Sequence, residues 1–504
     1  MSILEIYNYF INDIYHMDCK INFEECELAI LRSAIDSIDK EKGRKKINNP
    51  EIKKIIEIVE NFLKKKKLIC YGGTAINNLL PKDAQFYNKD IEIPDYDFFS
   101  PNPLEHAKEL ADIYYKKGFT EVEAKSGIHA GTFKVFVNYI PVADITYLVP
   151  ELFKTLKKDS RIRDGIYYTS PNYLRMLMYL ELSRPLGDVS RWEKVLKRLT
   201  LLNKYFPLKG DDCGSEKIQR IFEIGVKKEK IFQGKSLKKY LISDDEKMTK
   251  KKLKELQENI FKITLNTLIE EECVFFGAYA NKLYYKTIKR KSRKKDISKI
   301  PDFDVLSIEP EKTATKLKEK LINNGYKNVI INKKKGVGEV IAAHYEVKIG
   351  RETIIFIYEP IACHSFNVLR LNKKNIRIAT IDTMLSFYLA FMFVDREYYM
   401  KNRILCMCEY LFKTQKRNKL KQKGLLKRFS IDCYGEQLTI EKMRAEKSSM
   451  FNKLKNNRKS KKYEWWFLRY IPQQITERKK LIRKKTKKTT KKTTKKKKSK
   501  TRKN

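Results

Sequence analysis

The sequence predicts an α+β fold of two tandem copies of one mixed-sheet domain with flanking helices. The second copy is degenerate, and helical segments and a disordered basic tail complete the chain. Three observations carry this. A short apolar strand, Leu68–Tyr71, runs into Gly72-Gly73-Thr74 and a helix-like Ala75–Leu80. After a polar loop, Ile93-Pro94-Asp95-Tyr96-Asp97-Phe98-Phe99-Ser100 reads as a strand with Tyr96 and Phe98 on one face and Asp95 and Asp97 on the other. Both elements then recur from Cys273 and from Ile300, in the same order.

Composition sets the frame. Length alone, 504 residues, suggests roughly three domains at ~150 residues each. The chain carries 108 Lys and Arg against 62 Asp and Glu, a formal charge of +46. That excess points to a polyanion, nucleic acid before membrane, since no amphipathic basic helix or lipidation motif stands out. The nine cysteines are scattered without repeated short spacing, so they are expected as reduced thiols in a cytosol-like compartment and not as zinc ligands. No signal peptide and no apolar run of about 20 residues is found, so a soluble cytoplasmic protein is expected.

Residues 1–45 form an expected helical N-terminal segment, with Leu28, Leu31 and Ile35 packing on the domain next in the chain, and Glu41–Pro50 reads as a linker. Residues 46–184 make the first domain. It opens with an amphipathic helix over Glu51–Lys67 whose terminal lysine run suits a helix C-terminus. Pro103–Gly118 reads as a helix stopped by glycine. Thr132–Val137 and Pro141–Tyr147 read as a hairpin turning at Asn138. Asp144 sits inside the apolar second arm, where a carboxylate is costly unless it binds something, which favours a third metal ligand. Ser170 is placed as N-cap and Pro171 as first residue of an apolar helix to Leu182. Residues 185–265 form a helical bridge, in which an Arg191–Leu202 helix sets Arg191, Lys194 and Arg198 along one face.

Residues 266–400 form the repeat. Ile300–Ser307 matches Ile93–Ser100 at five of eight positions, with Asp302 and Asp304 retained. Gly277 alone keeps the diglycine, Tyr279 stands for Thr74, and Phe356 falls where Asp144 is required, so this copy is expected to be inactive. Ala379–Leu385 is aligned with Tyr168–Leu174, and an apolar helix is expected over 386–412. Lys289, Arg290, Lys291, Arg293 and Lys294, beside Tyr284 and Tyr285, suit a single-stranded RNA track. Residues 401–478 form a basic C-terminal helical region, with Trp465-Trp466-Phe467 as an anchor on the domain or on a partner. Residues 479–504 hold 16 Lys or Arg and no acid, a tail expected to be disordered; without it the chain still carries +30.

The chemistry follows from residue types. Adjacent carboxylates repel unless a hard cation such as Mg²⁺ or Mn²⁺ lies between them, and a diglycine turn lets backbone N–H groups approach a phosphate. Together they suggest metal-assisted nucleotidyl transfer. Gly72-Gly73-Thr74, Asp95-x-Asp97 and strand-borne Asp144 resemble the DNA polymerase β-like nucleotidyltransferase superfamily. With Tyr168–Leu174 and Arg191-Trp192-Glu193-Lys194-Val195-Leu196, the set resembles the catalytic subunits of poxvirus-type poly(A) polymerases and their giant-virus, mimivirus-like relatives.

The resemblance implies two nucleotidyltransferase-like domains and addition of AMP from ATP to RNA 3′ ends. Asp95, Asp97 and Asp144 would hold two Mg²⁺ or Mn²⁺ ions and carry the catalysis. Gly72, Gly73, Thr74 and Ser170, with Arg191 and Lys194, would bind the nucleotide. A homodimer is also implied. A uridylyl- or CCA-adding enzyme, or a non-catalytic RNA-binding scaffold, remains open at this point. One departure is the gap of 22 positions from Gly73 to Asp95, longer than is common in the superfamily, which an inserted loop over Pro81–Glu92 accommodates.

Overall fold

The computed structural model describes residues 23–87, 93–213, 250–288 and 303–476, apart from positions 351, 372, 397–398, 419–421 and 423. The candidate RNA residues Lys289, Arg290, Lys291, Arg293 and Lys294, together with Asp302, residues 1–22, most of the bridge beyond Cys213 and the tail, lie outside the described residues.

Helix α1 (Phe23–Ile47) runs through the expected linker. Its Leu28, Leu31 and Ile35 are about half exposed and do not pack on the domain, contrary to the expectation. Helix α2 (Pro50–Lys66) begins where the Asn49 side chain accepts from the Glu51 N–H, with Pro50 at its first position, and ends at Lys67 in the left-handed region. Its Ile52, Ile55, Val59 and Phe62 are buried.

Strand β1 (Ile69–Tyr71) leads into α3 (Gly72–Leu79), which starts at the first glycine rather than at Ala75. Then come β2 (Tyr96–Ser100), α4 (Pro103–Lys116), β3 (Val122–Ser126), β4 (Thr132–Val137), β5 (Ile140–Tyr147), α5 (Pro150–Asp159), β6 (Arg161–Arg163), β7 (Ile166–Tyr168), α6 (Pro171–Leu182) and α7 (Trp192–Tyr205). The second half gives α8 (Lys250–Glu270), β8 (Val274–Phe276), α9 (Gly277–Ile288), β9 (Phe303–Leu306), α10 (Pro310–Asn323), β10 (Val329–Lys334), β11 (His344–Ile349), β12 (Glu352–Tyr358), β13 (His364–Leu371), β14 (Lys374–Ala379) and α11 (Ile381–Phe391). The remainder is α12 (Lys401–Asn418), β15 (Cys433–Tyr434), α13 (Ile440–Leu454), α14 (Lys461–Phe467) and β16 (Arg469–Tyr470).

The sheets run β16-β3-β4-β5-β2-β1-β7-β6 and β10-β11-β12-β9-β8-β14-β13-β15. Seven strands therefore repeat in the same spatial order, and each sheet receives one extra edge strand from the C-terminal region. This is the expected α+β architecture of two tandem mixed sheets with flanking helices. The copies meet through equivalent helices, α6 against α11. Tyr173 packs edge-on to Phe393 at 5.0 Å, and the Ser365 N–H donates to the Ser183 carbonyl at 2.8 Å.

Four further expectations are corrected. The apolar stretch 386–412 is two helices, because charged Asp395 and Arg396 interrupt it between Phe391 and Lys401. Cys70 and Phe275 hold the same place, so Tyr168 corresponds to Ile378, one residue from the alignment read in the sequence. Cys213 pairs with Cys406 and Cys363 with Cys433 as disulfides, with Cα separations of 5.3 and 5.1 Å. These partners stand 193 and 70 residues apart, so no local spacing announces them. Finally, the C-terminal region is not only helical. Strand β16 extends the first sheet against β3, and Trp465 packs edge-on to Phe133 and Tyr147.

Candidate active site

Register brings the carboxylates together. Strand β2 lies antiparallel to β1 and parallel to β5, setting Asp97 opposite both Tyr71 and Asp144. Tyr96 and Phe98 turn into the core, Asp97 and Asp144 are half-buried, and Asp95 is exposed at the entry to β2. Burial first, then Asp95 and Asp144, push the Asp97 carboxyl up to about 7; Lys134 and Arg191 oppose the rise. Burial and Asp144 raise Asp95, against Lys134 and Lys194. The three acids thus share one electrostatic pocket, and Arg191 and Lys194 reach it through their fields.

Lys134, missed in the sequence, sits opposite Asp144 in the β4–β5 register and forms an ion pair with it. Among the described residues, no group of three His, Cys, Asp or Glu side chains is already gathered closely enough to cage a metal. The donor chemistry nevertheless fits a divalent cation. Three mutually repelling carboxylates, two of them half-buried, have Lys134 as their direct ion-pair partner and Arg191 and Lys194 acting on them by field, and hard oxygen donors suit Mg²⁺ or Mn²⁺.

The two glycines differ in purpose. Gly72 has φ +72° and lies so close to Asp97 that a Cβ would fall 2.5 Å from Oδ2. Gly73 lacks a positive φ, but a Cβ there would fall 2.5 Å from Tyr87 Oη and 3.0 Å from Arg198 Nη1. The Thr74 hydroxyl donates to the Asp95 carbonyl at 2.6 Å, tying α3 to the carboxylate strand. Ser170 precedes α6 as its N-cap residue without a side-chain capping bond; its Oγ is buried and has no hydrogen-bond partner. It comes two residues after the end of β7, which runs parallel to β1, so it stands at the same sheet end as Gly72. Arg191 lies 3.5 Å from a Glu181 carboxylate oxygen, and Lys194 is exposed on α7.

The second copy shows what is missing. Gly277 repeats the positive φ (+73°) and the close approach to Asp304, which is fully buried. Opposite Asp304 on β12 stands Phe356, where the first copy has Asp144. Ala278 and Tyr279 replace Gly73 and Thr74, and Tyr388 of α11 lies against Asp304 and Gly277. Aromatic rings fill this end of the sheet: Phe276 stacks on Phe387 at 5.2 Å and meets Tyr358 at 5.4 Å.

Fold and site together define a tandem α+β protein of two mixed sheets, with one carboxylate triad and one degenerate copy. Residues 57–188 match the poly(A) polymerase catalytic subunit family, so the first domain carries that family's domain. An African swine fever virus protein described as a candidate poly(A) polymerase catalytic subunit is 36% identical over 171 residues, covering 33% of this chain and 36% of that protein. A counterpart from Acanthamoeba polyphaga mimivirus is 34% identical over 168 residues, 32% of this chain and 28% of its own. The chain thus spans about a third of the length of the curated relatives it matches. The crystal structure of Megavirus polyadenylate synthase superposes with a TM-score of 0.70 at 20% identity, over 91% of this chain and 87% of that one, so the fold is shared along nearly the whole length.

Proposed function

We propose that the protein is a template-independent poly(A) polymerase that adds AMP from ATP to RNA 3′ ends. The observation that supports the reading is the register of β1, β2 and β5, which sets Asp97 opposite Asp144 and against Gly72, with Asp95 at the entry to β2. Asp95, Asp97 and Asp144 are the residues that would hold two divalent cations, Mg²⁺ or Mn²⁺. When bound, the cations supply Lewis-acid activation of the 3′-hydroxyl and neutralise charge on the departing pyrophosphate.

The chain's own groups do the rest. Gly72 and Gly73 open the start of α3 so that backbone N–H groups face the nucleotide phosphates. Thr74 fixes that turn to Asp95, and the unpartnered Ser170 hydroxyl stands ready as a donor. Arg191 and Lys194 add positive charge on the α7 side. Lys134 holds Asp144 in place as its counter-ion. The +46 charge suits the RNA partner, and we extend the reading to a viral, cytoplasmic homodimer. Among the described residues no helix is long and apolar enough to cross a membrane.

The test is extension of an RNA primer with Mg²⁺ or Mn²⁺ and each nucleoside triphosphate separately. Preferential incorporation of ATP is expected. Preference for UTP, or CCA addition to tRNA, would replace the poly(A) assignment, and no extension with RNA binding intact would leave a scaffold.

A further inference from the structure

The described part of the inserted loop between Gly73 and Asp95, up to Tyr87, is anchored on α3. Asn77, on α3 and almost fully buried, accepts through one Oδ1 from the backbone N–H groups of both Phe86 and Tyr87, each at 2.8 Å. A buried side-chain oxygen that satisfies two successive backbone donors fixes a loop firmly. The loop thereby delivers two rings to the diglycine turn, Phe86 and Tyr87 edge-on to each other at 4.7 Å. Arg198 of α7 reaches across to them. Its Nη2 donates to Tyr87 Oη at 2.6 Å, and the guanidinium lies 4.9 Å from the Phe86 ring centre and 5.4 Å from that of Tyr87.

All of this stands directly over Gly73, with no room for a Cβ beneath Tyr87 Oη. The second copy has Ala278 in place of Gly73 and Lys282 in place of Asn77, so neither the open floor nor the loop anchor exists there. The clamp and the complete carboxylate triad occur in the same copy.

We propose that Arg198 binds the triphosphate of the incoming nucleotide over Gly73, and that Tyr87, pinned through Asn77, positions its guanidinium. The inference rests on the nucleotidyl-transfer reading above. A planar guanidinium presents N–H donors in a fork that matches phosphate oxygens, and two aromatic faces hold its plane before the ligand arrives. Tyr87 and Phe86 thus pre-organise a cation that would otherwise swing on a long, flexible stem.

The test is calorimetric titration of the full-length protein with inorganic tripolyphosphate and with a non-hydrolysable ATP analogue, both with Mg²⁺. Wild type is expected to bind both. Arg198→Ala should weaken each by roughly 10- to 100-fold, the range for charge-assisted hydrogen bonds, and Arg198→Lys should recover part of the loss. Tyr87→Phe should raise the KM for ATP by up to about 10-fold with kcat unchanged.

Unchanged tripolyphosphate affinity in a folded Arg198→Ala protein overturns the proposal while leaving nucleotidyl transfer standing. So does loss of RNA affinity instead, which would assign the guanidinium to the primer backbone. A fall in kcat at constant KM for Tyr87→Phe overturns its positioning role. If wild type binds neither ligand, the nucleotidyl-transfer reading fails and the clamp with it.

Discussion

Gly72→Ala and Gly277→Ala form a matched pair of perturbations within one molecule. Both glycines come directly after the first strand of their copy with φ near +70°, and both back onto an aspartate: the added Cβ would lie 2.5 Å from Asp97 Oδ2 and 2.2 Å from Asp304 Oδ2. A left-handed alanine costs roughly 1–2 kcal/mol. Forcing a methyl group into a filled space adds about 1–3 kcal/mol. Each variant should therefore lose about 2–5 kcal/mol of stability, and Gly277→Ala the more, since Asp304 is fully buried and Asp97 only half. At roughly 2–4 °C per kcal/mol, calorimetry should detect either shift easily.

Activity separates the pair. In Gly72→Ala the Asp97 carboxylate must move away from the new methyl group, and a displacement near 1 Å costs on the order of 100-fold in turnover. In Gly277→Ala the displaced carboxylate has no Asp144 counterpart opposite it, so primer extension per folded molecule should stay within about threefold. Full activity in Gly72→Ala, or loss of activity in a folded Gly277→Ala, would refute the assignment of chemistry to the first copy alone.

Three more expectations concern other parts of the chain. Mg²⁺ should raise the melting temperature of wild type but not of Asp95→Ala/Asp97→Ala, which should abolish extension while keeping RNA affinity; an equal thermal shift in both would place the metal elsewhere. Deleting residues 479–504, which hold 16 cations, should weaken RNA binding and flatten its dependence on salt without stopping catalysis; an unchanged slope in log Kd against log salt would exclude the tail from the interface. His364 is buried with neither ring nitrogen hydrogen-bonded, and burial pushes it down to about 3 from 6.5. Its neutral form is the one the fold accommodates, so its share of stability is complete above pH 6.5 and is lost as pH falls toward 3, by up to about 1.4 kcal/mol per pH unit. His364→Leu should flatten that part of the stability curve, whereas curves of equal slope would show that the ring is protonated in the fold.

What the sequence makes legible is local in character. Asp95 and Asp97 show as an i, i+2 pair between apolar neighbours, and Asp144 shows because a charge interrupts an apolar strand. The degeneracy of the second copy is equally readable, since Phe356 does oppose Asp304. What stays hidden depends on register and on distant partners. Lys134 is one lysine among many until strand pairing puts it opposite Asp144. Arg198 shares a helix face with Arg191 and Lys194, but its contact with Tyr87 crosses 111 residues. A two-residue strand such as β16 has no pattern of its own; it exists because the open edge of β3 accepts it.

The duplicated architecture also gives the degenerate copy a structural task. Helix α6 follows directly on its N-cap residue Ser170, at the sheet end of the diglycine turn, and is buried along most of its length. Its cover is α11, the same helix of the other copy, which is buried at every position from Ile381 to Phe391. Helix α11 is in turn held by its own sheet and by α12, and the Asp382 carboxylate at its first turn accepts from Arg428 Nε and Nη2 at 3.1 Å each. A catalytic domain without this partner would expose Tyr173, Leu174 and neighbouring apolar surface and would lose the rigid seat of Ser170. The packing of α11 on α6 does not involve the positions where Ala278, Tyr279 and Phe356 stand for Gly73, Thr74 and Asp144, so it needs none of the site residues.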